Sequence, residues 1–387
     1  MRKCFTYLVC LVVATLIWMP LLHLFFRPSV DAYVPQAGHL PEHTRRMLNR
    51  HLADWEGAGQ LDDDLARMRV MNPEWDFMGR TFLVLSLANA ALVDPDRRER
   101  YLATIDQIIT DTLRLESERG QAYFLLSYAG HKAWKHPSKR SVFVDGEIAL
   151  TMAARRMVEE HEGYRSDMRR RIPAMVEQMR GSPVRCAESY PDECWIFCNS
   201  IALAAIKVHA VLDQAPYETF LEEWVATARE KLVDAETGML ISSFDLDGRV
   251  QQGPEGSCIW LTAHCLAVVD PVFARDQYDR AREHLGRSFL GFGYALEWPT
   301  SALGSGDIDS GLVVLGVSPT SSAMALLAAV SFDDTSYTRG LLASLRFGAF
   351  PQREGDQLRF LASNQVGDAM ALYGLLNQPL WEAVMQR

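Results

Sequence analysis

Six stretches of this chain are apolar almost all round a helix, and charged amphipathic stretches separate them. They cover residues 77–92 (FMGRTFLVLSLANAAL), 147–158 (EIALTMAARRMV), 195–212, 258–269, 319–330 and 364–376. Their apolar residues recur with helical rather than alternating spacing, so each reads as a buried helix. The intervening stretches, 95–116, 164–179, 217–232 and 273–285 with shorter pieces at 337–346 and 379–387, carry charge on one face. Helices that are wholly and half buried by turns, joined by short connections, pack as antiparallel neighbours. The expectation is an all-α fold, an (α/α)6 barrel with the apolar helices inside; an open α-solenoid is the alternative. Strand signals are confined to a hairpin-like piece at 239–250 and the run 312–317.

If the inner helices run parallel, the segments entering them gather at one mouth. Those segments are VMNPEWD, VFVDGE, CAESYPDEC, QQGPEGSC, GSGDIDSGLVV and LASNQVGD, each rich in acids, amides or glycine. Polar groups around one end of an apolar cavity are what a small-molecule site requires.

The N-terminus stands apart. From residue 4 to residue 26 the chain carries no formal charge, with Arg2 and Lys3 before and Arg27 after. A helix of that length rises about 34 Å, enough for a hydrocarbon core of about 30 Å. Residues 1–30 are therefore expected to be an uncleaved single-pass membrane anchor and 31–387 the barrel; a cleaved signal peptide is the rival. The basic N-terminal flank favours a cytoplasmic N-terminus and an extracytoplasmic barrel. The formal charge is −10 and no basic block occurs, which argues against nucleic acid as a partner.

Within CAESYPDECWIFCNS, 186–200, the cysteines lack the paired spacing of a zinc site, and five cysteines outside the anchor cannot all pair. The expected metal is none. Asp145, Asp192 and Glu255 sit at helix starts, where carboxylates often act only as caps. Glu147 enters the apolar run EIALTMAA, so its carboxyl is expected to be costly to ionise and to serve as a general acid. Trp75, Phe143, Trp195 and Trp260 fall at the same junctions, where aromatic faces either pack or shelter a cation. Asp307 and Asp309 in GSGDIDSG read as a glycine-rich turn rather than a calcium loop. His264, in mid-helix, reads as a core histidine.

CAESYPDECWIFCNS, with NPEWDFMGRTFLVLSLANAALVDP, SVFVDGEIALTMAARR and GPEGSCIWLTAHCLAVVDPVF, resembles the linalool dehydratase/isomerase family over residues 72–376. The resemblance implies an (α/α)6 barrel and cofactor-free hydration, dehydration or allylic isomerisation of terpene alcohols and alkenes. It also implies two substrate-facing cysteines, Cys198 and Cys186, with Glu147 in place of that family's inner-helix histidine. A subunit interface completes that family's site, so a homo-oligomer is expected. The catalytic set expected is Glu147, Asp145, Cys198, Cys186 and Asp192. Trp75, Asp76, Phe143, Trp195, Asn199, Glu255 and Trp260 are expected to contact a small apolar substrate. The expected activity is that of a lyase or isomerase. The alternatives are a glycoside-active barrel enzyme and a non-catalytic membrane-anchored binding protein. Oily inner helices weigh against a sugar site, which needs exposed aromatics and polar groups.

Overall fold

The structure is a computed structural model that describes residues 2–35, 39–57, 60–300, 304 and 310–387, the side chains of 60–64 excepted. The glycine-rich turn expected around Asp307 and Asp309 lies outside the described residues. Helix α1 spans Arg2–Phe26, α2 Glu42–Glu56 and α3 Gln60–Met71. The remaining helices alternate between two layers. The inner layer is α4 Pro73–Val93, α6 Val142–Val158, α8 Ile196–Asp213, α10 Gly256–Leu266, α12 Pro319–Ser331 and α14 Gln365–Leu375. Between them run α5 Arg98–Arg119, α7 Glu162–Gly181, α9 Glu218–Lys231, α11 Pro271–His284, α13 Thr335–Gly348 and α15 Gln378–Met385.

Each inner helix packs on the next, and α14 packs back on α4, so the ring is closed. An (α/α)6 barrel is thus the fold, and the open solenoid is excluded. Burial follows the layers: α4 and α8 are buried along nearly their whole length, whereas α5 buries one stripe through Tyr101, Ile105, Ile108 and Thr112. Small residues let the inner helices approach. A Cβ on Gly146 of α6 would lie 3.1 Å from Ala202 Cβ of α8.

The inner helices start at one end of the ring, and short polar side chains define those starts. Asn72 Oδ1 accepts from Glu74 N at 2.8 Å, Ser318 Oγ from Ser321 N at 3.0 Å and Asn364 Oδ1 from Gly367 N at 2.9 Å. Proline follows the cap at Pro73 and Pro319, where its missing N–H has no helical partner to lose.

Among the described residues, three small antiparallel sheets edge this same end. Strands β1 Cys194–Trp195, β2 Ser243–Phe244 and β3 Val250–Gln252 form one, with Trp195 opposite Ser243. The hairpins β4 Gly286–Phe289 with β5 Phe292–Ala295, and β6 Pro351–Glu354 with β7 Gln357–Phe360, form the others. The run 312–317 is not a strand. Leu315 and Gly316 both have positive φ, and only isolated bridges, Val314 with Val317 and Leu296 with Val317, form there.

Among the described residues, three helices are long and apolar enough to cross a membrane: α1, α4 and α8. Most of α4 and α8 is buried inside the barrel, whereas none of the α1 window is.

Candidate functional site

The mouth holds a cavity of about 240 Å³. The first turns of all six inner helices contribute to its wall: Glu74 and Trp75, Phe143, Phe197 and Cys198, Ser257 and Cys258, Thr320, and Gly367. Tyr128, Tyr190 and Trp195 add aromatic surface from the entering loops, while Met78, Phe82, Met324 and Met370 lie deeper along the helices.

The loop 186–195 is shaped by its own polar residues. Glu188 accepts from the backbone N–H groups of Lys135 at 2.9 Å, His136 at 2.8 Å and Asp192 at 2.6 Å, tying two loops together. Asn199 clamps Ala187, accepting from its N–H at 2.8 Å and donating to its carbonyl at 3.1 Å. Asp192 takes a left-handed φ of 56°, and Glu193 N bonds back to Tyr190 O at 3.0 Å. This turn points Tyr190 and Glu193 to the mouth.

There, two phenol–carboxylate pairs meet. Tyr190 donates to Glu74, and Tyr128 donates to Glu193 at 3.0 Å. The two tyrosine rings stack with centroids 4.5 Å apart and planes inclined by 15°. The indole N–H of Trp195 also donates to Glu193. Burial, and then the adjacent carboxylates, raise both phenols well above the ordinary tyrosine value, so both remain donors at neutral pH. Cys198 beside them is held far above the usual thiol range, first by burial and further by the charges of Glu74 and Glu193. It presents a neutral S–H rather than a thiolate nucleophile.

The residues singled out in sequence divide between this cavity and its surroundings. Trp75, Phe143, Trp195 and Cys198 line it. Glu147 lies one helical turn beyond Phe143 on α6 and is fully buried, accepting from Thr81 Oγ1 at 2.6 Å. Burial pushes its carboxyl up to about 8, which the Thr81 hydrogen bond partly opposes. Glu255 stands at the start of α10 and accepts from Trp298 Nε1 at 3.4 Å.

The others are turned elsewhere. Asp145 takes two N–H bonds from Arg140, at 2.8 Å and 2.5 Å, and pairs with Arg171, in a cluster with Glu116. Asp192 is half-buried and pairs with Lys135 at 3.5 Å. Asp76 pairs with Arg80 at 2.8 Å and Arg69 at 3.1 Å. Cys186 is buried away from the lining, its thiol raised to about 12 by burial. Asn199 is occupied in its clamp. Trp260 is a core residue, bonded to Ser321 Oγ at 3.1 Å and packed on Tyr278 and Tyr337. His264 is also in the core, between Ser331 Oγ at 2.7 Å and Tyr373 Oη at 2.6 Å, and burial lowers it to about 3.

The residues missing from the expected set are Glu74, Tyr128, Tyr190 and Glu193. Their sequence signal was present but ambiguous. Glu74 and Asp76 share one first turn, Asp192 and Glu193 one loop, and only the backbone direction chooses between them. Among the described residues, no group of three or more His, Cys, Asp or Glu is placed to hold a metal ion. The weight placed against a sugar site is removed by the same geometry. The inner helices are oily, but the mouth above them carries six aromatic side chains and two carboxylates.

No family model matches the chain, and no curated protein does. Solved structures share the architecture. A family 76 glycoside hydrolase (mannosidase) from Bacteroides thetaiotaomicron aligns with TM-score 0.50 and 10% identity, covering 89% of this chain and 99% of its own. A family 105 glycoside hydrolase from C. acetobutylicum aligns with TM-score 0.50 and 12% identity, covering 83% and 98%. A D-mannose isomerase aligns with TM-score 0.45 and 11% identity, covering 79% and 87%. At these identities the likeness shows the fold alone. The resemblance to the linalool dehydratase/isomerase family is overturned: the two structures that align at TM-score 0.50 are glycoside hydrolases, and no family model supports it. The motifs behind that resemblance are oily inner helices with polar first turns, which the barrel architecture itself demands. The two cysteines that it paired do not both face the cavity: Cys198 lines it and Cys186 does not. This chain is an (α/α)6 barrel.

Proposed function

We propose that the protein is a carbohydrate-active enzyme, cleaving or rearranging a small glycoside by carboxyl acid–base chemistry at the barrel mouth. One observation carries the reading: Glu74 and Glu193, each held by a tyrosine hydroxyl of a stacked pair, beside a cavity walled by Trp75 and Trp195. Sugar rings have apolar faces that stack on aromatic side chains and hydroxyls that need charged or polar acceptors; this mouth offers both. Its glycosidase-like architecture agrees with the reading. In it, Glu74 exchanges a proton with the glycosidic or anomeric oxygen, Tyr190 fixes the orientation of the Glu74 carboxyl, and Glu193 binds a second polar group. Cys198 is neutral wall surface. Glu147, one turn deeper, is a neutral carboxyl that keeps charge out of the floor.

The test is release of a chromogenic aglycone from a panel of aryl glycosides by the full-length protein in detergent micelles. Turnover of at least one member is expected, with Glu74→Gln slowed by roughly 10²- to 10⁴-fold, the usual contribution of one general acid–base group. A folded protein inert to the whole panel sinks the reading.

The apolar floor of Met78, Phe82, Met324 and Met370 favours a second reading, proton transfer to an apolar alcohol or alkene by a lyase or isomerase. Conversion of a prenyl alcohol or alkene by folded protein that is inert to every aryl glycoside would mark that reading.

A further inference from the structure

The last turn of α1 is bound to the barrel wall at the mouth end. Arg346 Nη1 donates to the carbonyl of Phe26 at 3.0 Å, taking up an acceptor that a helix C-terminus leaves open. The Phe26 ring lies 5.0 Å from that of Phe347 and 6.4 Å from that of Phe292. Gly291, at the β4–β5 turn with φ 83°, passes so close to His23 that a Cβ there would stand 2.2 Å from the imidazole. Phe347 closes α13, which returns to the mouth because it runs opposite to α12, and β6–β7 carries the chain on to the first turn of α14.

Around that contact the barrel is apolar where it should be polar. Phe289, Phe347, Phe350 and Leu361 are 64%, 48%, 62% and 58% exposed. They are contiguous. Phe289 pairs across the hairpin with Phe292, whose ring is 5.3 Å from Phe347, and Leu361 N donates to Phe350 O at 3.2 Å. Exposed apolar groups gathered into one patch mark a surface that meets something other than water. The chain itself indicates the occupant. Phe26 ends an uncharged span long enough to cross a bilayer, and exposed Arg27 follows it at the level where lipid headgroups lie. Residues touching that last turn are at the same depth.

We propose that Phe289, Phe347, Phe350 and Leu361 form a collar that rests in the interface of the bilayer crossed by α1, so that the mouth end of the barrel faces the lipid. The inference rests on insertion of α1 and is independent of the substrate. To test it, a small fluorescent amino acid replaces, one at a time, Phe289, Phe350, Leu361, Val12 within the span, and Glu162. Glu162 is exposed at the start of α7, the end of the ring away from the mouth. Each full-length protein is reconstituted in phosphatidylcholine vesicles with or without nitroxide-labelled lipid. Loss of most emission at Val12 and at all three collar positions, with none at Glu162, is expected. Quenching at Val12 alone overturns the collar and leaves the anchor. Quenching at no position overturns both, and equal quenching at every position including Glu162 overturns a directed contact. The replaced collar side chains are exposed, and a melting temperature equal to that of the unlabelled chain shows that each protein is folded.

Discussion

Asp145 and Glu147 are two residues apart on α6, and a helix turning about 100° per residue sends them to opposite sides. Asp145 goes outward to Arg140 and Arg171, Glu147 inward to Thr81. The inward carboxyl has a thermodynamic signature. With its value raised from 4.5 to about 8, the folded chain keeps a proton there that the unfolded chain has lost. Its stabilising effect is complete below the unfolded value and falls away as pH climbs to about 8. The buried imidazoles of His51 and His264, lowered to about 4 and about 3, act in the opposite sense, adding stability as pH rises towards the ordinary histidine value. Above roughly pH 6.5 the histidines are neutral in both states, so Glu147 dominates that slope among these three. Glu147→Gln should flatten the fall in urea midpoint between pH 6.5 and 8 and raise the midpoint at pH 8; an unchanged slope would show that the carboxyl is already ionised. Tyr190→Phe tests the mouth in the same way. It removes the donor to Glu74 and the acceptor of Leu126 N at 2.9 Å, and should lower stability by about 1–3 kcal/mol, read as a reduced melting temperature.

Among the elements, the inner helices were legible because burial on all sides leaves an oily run that nothing else in the barrel demands. Their outer partners were legible from one-faced charge. Helices α2 and α3 were not. The apolar part of the buried stripe of α2 is only Met47, Leu48, Leu52 and Trp55 among many charges. The β4–β5 and β6–β7 hairpins escaped because four-residue strands such as PQRE carry no clear alternation. The β4–β5 turn is set by Leu290 and Gly291, both at positive φ. How closely α8 approaches α6 at Gly146 was also invisible in sequence, since a glycine inside a helix more often signals weakness than proximity. Gly146→Val should push these helices apart and destabilise the fold by about 1–3 kcal/mol. Gly181→Ala, at the end of α7 with nothing within 4 Å of its new Cβ, should be neutral or slightly stabilising. Paired thermal melts decide it, and equal midpoints for the two variants would show that the α6–α8 contact is loose.

At the scale of the whole molecule, closure of the ring makes every inner helix depend on both neighbours. A chain ending at residue 363 lacks α14 and α15, so α4 and α12 each lose a buried face. Such a chain should have no cooperative thermal transition by circular dichroism; an open solenoid would lose only its last repeat and melt cooperatively still. The alternation of oily and charged segments was enough to determine paired inner and outer helices, because a helix apolar on every side has to be enclosed; closure into a ring rather than an open solenoid was decided by α14 packing back on α4. The uncharged span of α1 was equally plain, since length and apolarity are properties of the segment itself. Which acids reach the cavity was decided only by tertiary structure. Glu74 and Asp76 differ by two positions on one turn, and the packing of α4 against α6 and α14 sets which of them looks inward. Glu193 faces the mouth because Asp192 takes a left-handed turn beside it and Tyr128 arrives from a loop about 65 residues earlier in the chain. Such choices rest on rotations and long-range contacts that no local pattern of residue types contains.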